Sequence, residues 1–391
     1  MRRFLKRGGA VLLILAVLAG AAALWKREAL ARLMAVNTLF AEDRIVTNFS
    51  HMDDLFESAP VPRGDGPVAE LPQGPPLTMP DGFDTFLTGR AVTSLVVLHD
   101  GALVHESYYM GTGPDDLRIS WSVAKSYLSA LFGVLLAEGA IGSLDDPVTD
   151  YAPELAGGAY DSATIRNVLQ MSSGVTFDED YLDFWSDINK MGRVLALGAS
   201  MDGFAAGLSE TFQPPGRGWK YVSIDTHVLS MVLRGATGRS IPELLSEKII
   251  APMGLERTPY YVTDGYGVAF VLGGLNVTTR DYARMGQMFL QNGAYNGRQI
   301  VPADWVAEST APTANTDPGK LRYGYQWWIA SDPRPGEFLA RGVYGQYVYV
   351  NRPAGVVVAT TGADRAFRDE GAFDESLAMF RRIADAAEGR D

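Results

Sequence analysis

The stretch Ile119-Ser-Trp-Ser-Val-Ala-Lys-Ser-Tyr-Leu-Ser-Ala-Leu-Phe-Gly-Val-Leu-Leu-Ala137 carries a single charged residue, Lys125. So apolar a run predicts a helix buried on most faces. Ser122 and Lys125 stand three residues apart, which puts them on one helix face with Cβ atoms about 5–6 Å apart. Ser122 lies near the helix start, at the positive end of the dipole. A buried ammonium without a partner favours its neutral form, and a neutral amine is what activating a serine hydroxyl requires. A lysine reaching out to solvent beside a packed serine would give the same spacing, so the pair alone is weak evidence. A second segment, Gly218-Trp-Lys-Tyr-Val-Ser-Ile-Asp-Thr226, follows Pro214-Pro-Gly216 and places Tyr221 in a loop entering a helix. There it could relay a proton if nearby cations lower its pKa from about 10, although a packed tyrosine at a helix start is the plainer account. A third, Arg341-Gly-Val-Tyr-Gly-Gln346, enters a late hairpin. Its glycines permit close backbone approach and an edge N–H could donate to an oxyanion; a glycine bulge fits equally well.

Rival chemistries lack their residues. No G-x-S-x-G is present for a nucleophile elbow. After His105-Glu106, Tyr109 stands where a zinc-binding helix needs a second histidine. No P-loop occurs, and no G-x-G-x-x-G follows a strand. With no Cys and four scattered His (His51, His99, His105, His227), disulfides, thiol nucleophiles, Fe–S clusters and Cys-based zinc sites are excluded. No metal or organic cofactor is implied. Asp and Glu total 46 against 34 Lys and Arg, a net charge of −12. Residues 1–32 hold Arg2, Arg3, Lys6, Arg7, Lys26, Arg27 and Arg32 against Glu28 alone, so the body beyond is more acidic still. A body of that sign repels phosphate backbones, which argues against nucleic acid as a partner.

The elements that must position these residues are legible around them. The chain has 391 residues, 47% apolar and 20% charged, enough for one large domain or two to three smaller ones with ample core. Val92–His99, a turn at Asp100-Gly101 and Ala102–Met110 read as a hairpin. Gln346–Asn351 and Val356–Thr361 read as another, followed by a helix near 371–387. Helical patterns fill the middle, at 119–137, 162–171, 225–236, 241–250 and 279–292. Strands at both ends around a helical middle predict an α+β fold: an antiparallel sheet flanked by helices, spanning 81–391, with a helical subdomain at roughly 140–262. Residues 33–80 form an N-terminal segment whose stretch 58–80 should be an extended strap, because it holds seven prolines. Residues 8–24 are an uncharged apolar run between Arg2-Arg3-Phe4-Leu5-Lys6-Arg7 and Trp25-Lys26-Arg27. Seventeen residues are the lower limit for crossing a bilayer, and the basic cluster places that end in the cytoplasm. Residues 1–32 thus read as a signal anchor holding an extracytoplasmic, periplasmic domain at the inner membrane. The small residues Gly20-Ala-Ala-Ala23 also fit a cleaved signal peptide and a soluble exported protein.

Taken together the segments resemble the serine β-lactamase-related hydrolases, in the branch of class C β-lactamases, esterases and 6-aminohexanoate-dimer hydrolases. The likeness runs from about Phe49 to the C-terminus and rests on ordered motifs: Ser122-Val-Ala-Lys125, Leu144-Asp-Asp-Pro-Val148 with Tyr151-Ala-Pro-Glu154, Thr164-Ile-Arg-Asn-Val-Leu169 with Ser172-Ser-Gly174, Tyr221-Val-Ser223, Pro252-Met-Gly-Leu255, Gly273-Gly-Leu275, Tyr323-Gly-Tyr-Gln-Trp327 and Gly345-Gln346. The resemblance implies an α/β sandwich of the β-lactamase/transpeptidase type and an acyl-enzyme mechanism. Ser122 would be the nucleophile, Lys125 its base and Tyr221 the proton relay, with the backbone N–H groups of Ser122 and Gln346 as the oxyanion hole. Tyr181, Ser223, Tyr344 and Gly345 would bind substrate. Two departures bear on substrate. Val343-Tyr344-Gly345 lacks the Lys or His that lactamases place there for a substrate carboxylate, Arg341 upstream being the sole cation, and the second motif ends in Ser223 rather than Asn. Both favour a small-molecule linear amide or ester over a β-lactam or a D-alanyl-D-alanine peptide. A membrane-anchored, non-catalytic binding or sensing domain is the alternative from another class.

Overall fold

The computed structural model describes Gly20 and residues 26–390. The expected apolar span at 8–24 thus lies, apart from Gly20, outside the described residues. No described helix is long and apolar enough to cross a membrane.

The fold is α+β, built on a seven-stranded antiparallel sheet. Its strands run in the order Ala102–Tyr108, Val92–His99, Val356–Gly362, Gln346–Asn351, Glu337–Gly342, Trp328–Ile329 and Arg322–Tyr323. Both faces are covered, and the period-two alternation of side chains divides the strands between two cores. Leu95, Val97, Tyr347, Tyr349, Val356 and Val358 face the helices Phe83–Gly89 and Ala372–Ala387, meeting Phe86, Phe380 and Ile383. Val96, Leu98, Val348, Val350, Val357 and Ala359 face the other way, into the main core with the helices Ala124–Ala137 and Thr279–Leu290. Gly286 lets the second of these press onto the sheet, because a Cβ there would lie 2.5 Å from Val357 Cγ1 and 2.8 Å from Val348 Cγ1.

A smaller sheet, ordered Ser58–Pro60, Tyr260–Val262, Leu275–Val277 and Arg118–Ile119, leads into the Ala124–Ala137 helix. The proline-rich stretch begins as its edge strand. It continues along the molecule through Ala69 N–H to Gly254 O (2.8 Å), Gly74 N–H to Leu103 O (2.9 Å) and Leu77 N–H to Val104 O (2.9 Å). The helical insertion includes Ile165–Leu169, started by a Thr164–Asn167 capping box, and the long Ser223–Thr237 helix. It also holds two helices that the sequence pattern did not reveal, Asp187–Ala196 and Met201–Ala206. The N-terminal helix Arg27–Thr38 lies against this insertion, where Arg32 Nε donates to Ala196 O at 3.0 Å.

Candidate active site

Ser122 is delivered by the small sheet. The Arg118–Ile119 strand leads through a tight turn, Trp121–Val123, into the Ala124–Ala137 helix. Trp121 sits at φ +42°, a region that costs a non-glycine residue about 1–3 kcal/mol and persists only where surroundings enforce it. Here they do. Its ring is packed against Phe49 (5.4 Å between centroids), Phe40 (5.7 Å) and Tyr344 (6.2 Å). Ser122 is left half-buried at the head of the helix.

Lys125, one turn on, is 1% exposed and donates from Nζ to Leu272 O at 2.9 Å. Burial lowers its pKa to about 7, against the opposing pull of Glu179 and Asp225. Its Nζ lies 5.4 Å from the centre of the Tyr221 ring. Tyr221 stacks on Trp328 with centroids 5.2 Å apart. The expectation that cations lower the Tyr221 pKa is reversed. Burial and then Glu179 push it above the usual phenol range, and the Ser122 hydroxyl and Arg341 offset only part of this. A phenol so held stays protonated, which suits a proton donor.

Glu179 is a site residue that the sequence pattern does not mark, flanked as it is by Asp178 and Asp180. The fold buries it. Its carboxylate accepts from the Ser223 backbone N–H, from Ser223 Oγ at 3.1 Å and from the Tyr181 hydroxyl at 3.2 Å. Gly174 makes this loop path possible, because a Cβ there would lie 2.1 Å from Gln213 O. Burial raises the Glu179 pKa, while Lys125 and the Ser223 donors hold it down. Asp225, one turn into the next helix, accepts from the Tyr160 hydroxyl at 2.6 Å, and burial raises it to about 7. Lys125 therefore shares its environment with two buried carboxyls, each of which favours the charged form of the lysine.

The third motif is threaded differently from the sequence reading. Gly342 pairs with Gln346 across the hairpin, so Gly342 and not Gly345 ends the strand beside Ser122. A Cβ on Gly342 would lie 2.7 Å from Ser120 O and 3.1 Å from Ser122 N. The next residue, Val343, borders both cavities that reach Ser122, whereas Gln346 and Gly345 border neither. Gln346 is a buried strand residue that pins the turn. Its Nε2 donates to Val343 O and Gly362 O, each at 3.0 Å, and its Oε1 accepts from Gly362 N–H at 3.1 Å. Tyr344, at φ +61°, is buried and stacked on Phe40 at 4.8 Å. Arg341 reaches the cleft, its guanidinium 4.4 Å from the Phe373 ring centre and 5.6 Å from that of Trp328. The third motif therefore does have a cation at the site.

Two cavities meet at Ser122. One is an open cleft of ≈ 390 Å³ bordered by Tyr221, Trp328, Arg341, Glu179 and Tyr181. The other, of ≈ 110 Å³, is lined mostly by apolar side chains, with Asn189, Tyr181 and Ser223 among them. Among the described residues no cluster of three or more His, Cys, Asp or Glu could hold a metal ion. His99 and His105 lie on strands of the first hairpin.

The chain is similar to known proteins. The beta-lactamase family model matches residues 83–376. A 6-aminohexanoate-dimer hydrolase of Paenarthrobacter ureafaciens is 31% identical over 323 residues, covering 78% of this chain and 81% of the relative. A Bacillus anthracis structure assigned as a 6-aminohexanoate-dimer hydrolase superposes with a TM-score of 0.76 at 25% identity, covering 90% of this chain and 96% of that one. A family VIII carboxylesterase shares the fold with a TM-score of 0.58 at 17% identity, over 82% and 99% of the two chains.

Proposed function

The chain belongs to the beta-lactamase family of serine hydrolases, and from that premise we propose that Ser122, Lys125 and Tyr221 hydrolyse linear amides or esters through an acyl-enzyme. Neutral Lys125 takes the Ser122 Oγ proton as the bond from Oγ to the substrate carbonyl carbon forms. The oxyanion is met by the backbone N–H of Ser122 and that of Val343, which is better placed than Gln346. The Tyr221 hydroxyl gives its proton to the departing nitrogen or oxygen as that bond breaks, and the Lys125 ammonium returns a proton to the phenolate. Water entering from the cleft then attacks the ester and releases the acid. The buried lysine three residues from Ser122, its pKa brought by burial to about 7, carries this reading, because a base must be neutral near the working pH.

Arg341 borders the same cleft as Tyr221, so a carboxylate would be recognised on the leaving group. This moderates the sequence argument that carboxylate-bearing substrates find no cation, and it leaves simple esters and linear amides as the substrate class. Labelling with a fluorophosphonate probe tests the assignment. Ser122→Ala should abolish labelling and turnover, and Lys125→Ala and Tyr221→Phe should each slow acylation about 10²–10⁴-fold. Labelling that survives in Ser122→Ala would overturn it, and a folded wild-type protein that never labels would favour a binding domain.

A further inference from the structure

We infer that the apolar cavity behind Ser122 is the acyl-chain pocket, that it takes a short uncharged aliphatic acyl group, and that the N-terminal segment builds one of its walls. The inference rests on the acyl-enzyme reading above and adds which half of the substrate goes where.

The two cavities at Ser122 differ in which mechanistic groups they touch. Tyr221 borders the open cleft and not the apolar cavity. A leaving group must depart next to its proton donor, so it occupies the cleft. Ser122 and Val343 border both, so the carbonyl carbon and its oxygen lie at the junction. The remaining substituent of the carbonyl, the acyl chain, is then directed into the second cavity. None of the residues lining that cavity is charged. Glu179 lies behind Tyr181 and Ser223, from whose hydroxyls it already accepts, and does not border the cavity. An acyl chain ending in an ammonium would meet no charged partner in the lining, and burying such a charge is costly. Size sets the second limit. An apolar cavity of about 150 Å³ holds one benzene molecule, so ≈ 110 Å³ suits a chain of about four carbons.

Val36, Leu39, Phe40, Met52 and Phe56 supply the far wall, and all lie before the span 83–376 matched by the family model. Chain-length selection in this protein is therefore set partly from outside the catalytic motifs. Each methylene that becomes buried should raise kcat/KM about fourfold.

The test measures kcat/KM for p-nitrophenyl acetate, butyrate, hexanoate and octanoate on the full chain. A second comparison sets hexanoyl against 6-aminohexanoyl p-nitroanilide. The butyrate-to-acetate ratio should be about 15 from two buried methylenes, with a fall by octanoate. The aminohexanoyl substrate should be the poorer by at least about tenfold, since an unpaired ammonium is costly to bury. Leu39→Trp should move the optimum towards acetate, and the half-buried Val36→Trp serves should the first variant not fold. Fluorophosphonate labelling of Ser122, run alongside, separates failure of this inference from failure of the hydrolase reading. With labelling intact, three outcomes would overturn the pocket assignment: a flat chain-length profile, variants that scale every ester equally, or variants that shift preference along an alcohol series instead.

Discussion

At the scale of single residues, the site turns on one lysine between two buried carboxyls. Burial brings Lys125 to about 7, so the fraction of active, neutral base falls tenfold for each pH unit below that value. The rate of acylation should rise with pH and level off above about 7, an acid limb belonging to the coupled group and not to Lys125 alone. The sign of the Glu179 effect follows from its charge. An ionised Glu179 favours the Lys125 ammonium and so raises its pKa; Glu179→Gln should lower it and move the acid limb to lower pH. The glutamine keeps an oxygen for the Ser223 N–H, which limits collapse of the loop. A pH profile of fluorophosphonate labelling measures this, and a limb that stays put or moves upward would refute the coupling. Glu179 was unreadable in the sequence because its partner, Ser223, comes 44 residues later. Nothing local distinguishes it from Asp178 and Asp180.

At the scale of elements, close approach of backbone to side chains sets the packing. Gly286 sits where the Thr279–Leu290 helix meets two valines of the sheet. Alanine would ordinarily favour a helix by about 1 kcal/mol over glycine. Here its Cβ would enter space already occupied by two methyl groups, and overpacking costs about 1–3 kcal/mol. Gly286→Ala should therefore lower the thermal midpoint, measured by circular dichroism; a rise would mean that the valines yield. The sequence was most informative where one period dominated. Both hairpins, the nucleophile helix and the C-terminal helix were legible from apolar runs or alternation. Asp187–Ala196 and Met201–Ala206 were missed because short amphipathic helices follow an acidic, aromatic-rich loop that masks their period. The Glu337–Gly342 strand was missed because its continuation, Val343–Gly345, is a turn with Tyr344 at positive φ. That turn also puts Val343, and not Gln346, at the border of both cavities.

At the scale of the whole molecule, the acidic body follows a basic, apolar N-terminus. We propose that residues 8–24 keep the protein on the membrane with its catalytic body outside the cytoplasm. Sequencing the N-terminus of membrane-extracted protein should return the chain with this stretch intact, whereas a start near Ala22 to Trp25 would mean a cleaved signal and a soluble exported enzyme. The packing of Phe40 and Phe49 against Trp121 and Tyr344 has a practical consequence as well. The family model spans 83–376, yet a gene fragment cut to those limits would strip the aromatic braces from Trp121 and Tyr344 and drop most of the Ala372–Ala387 helix from the sheet. Apolar surface uncovered on that scale invites aggregation. The smallest piece worth expressing is therefore larger than the span of the family model, and its limits are set by the contacts that cover the site.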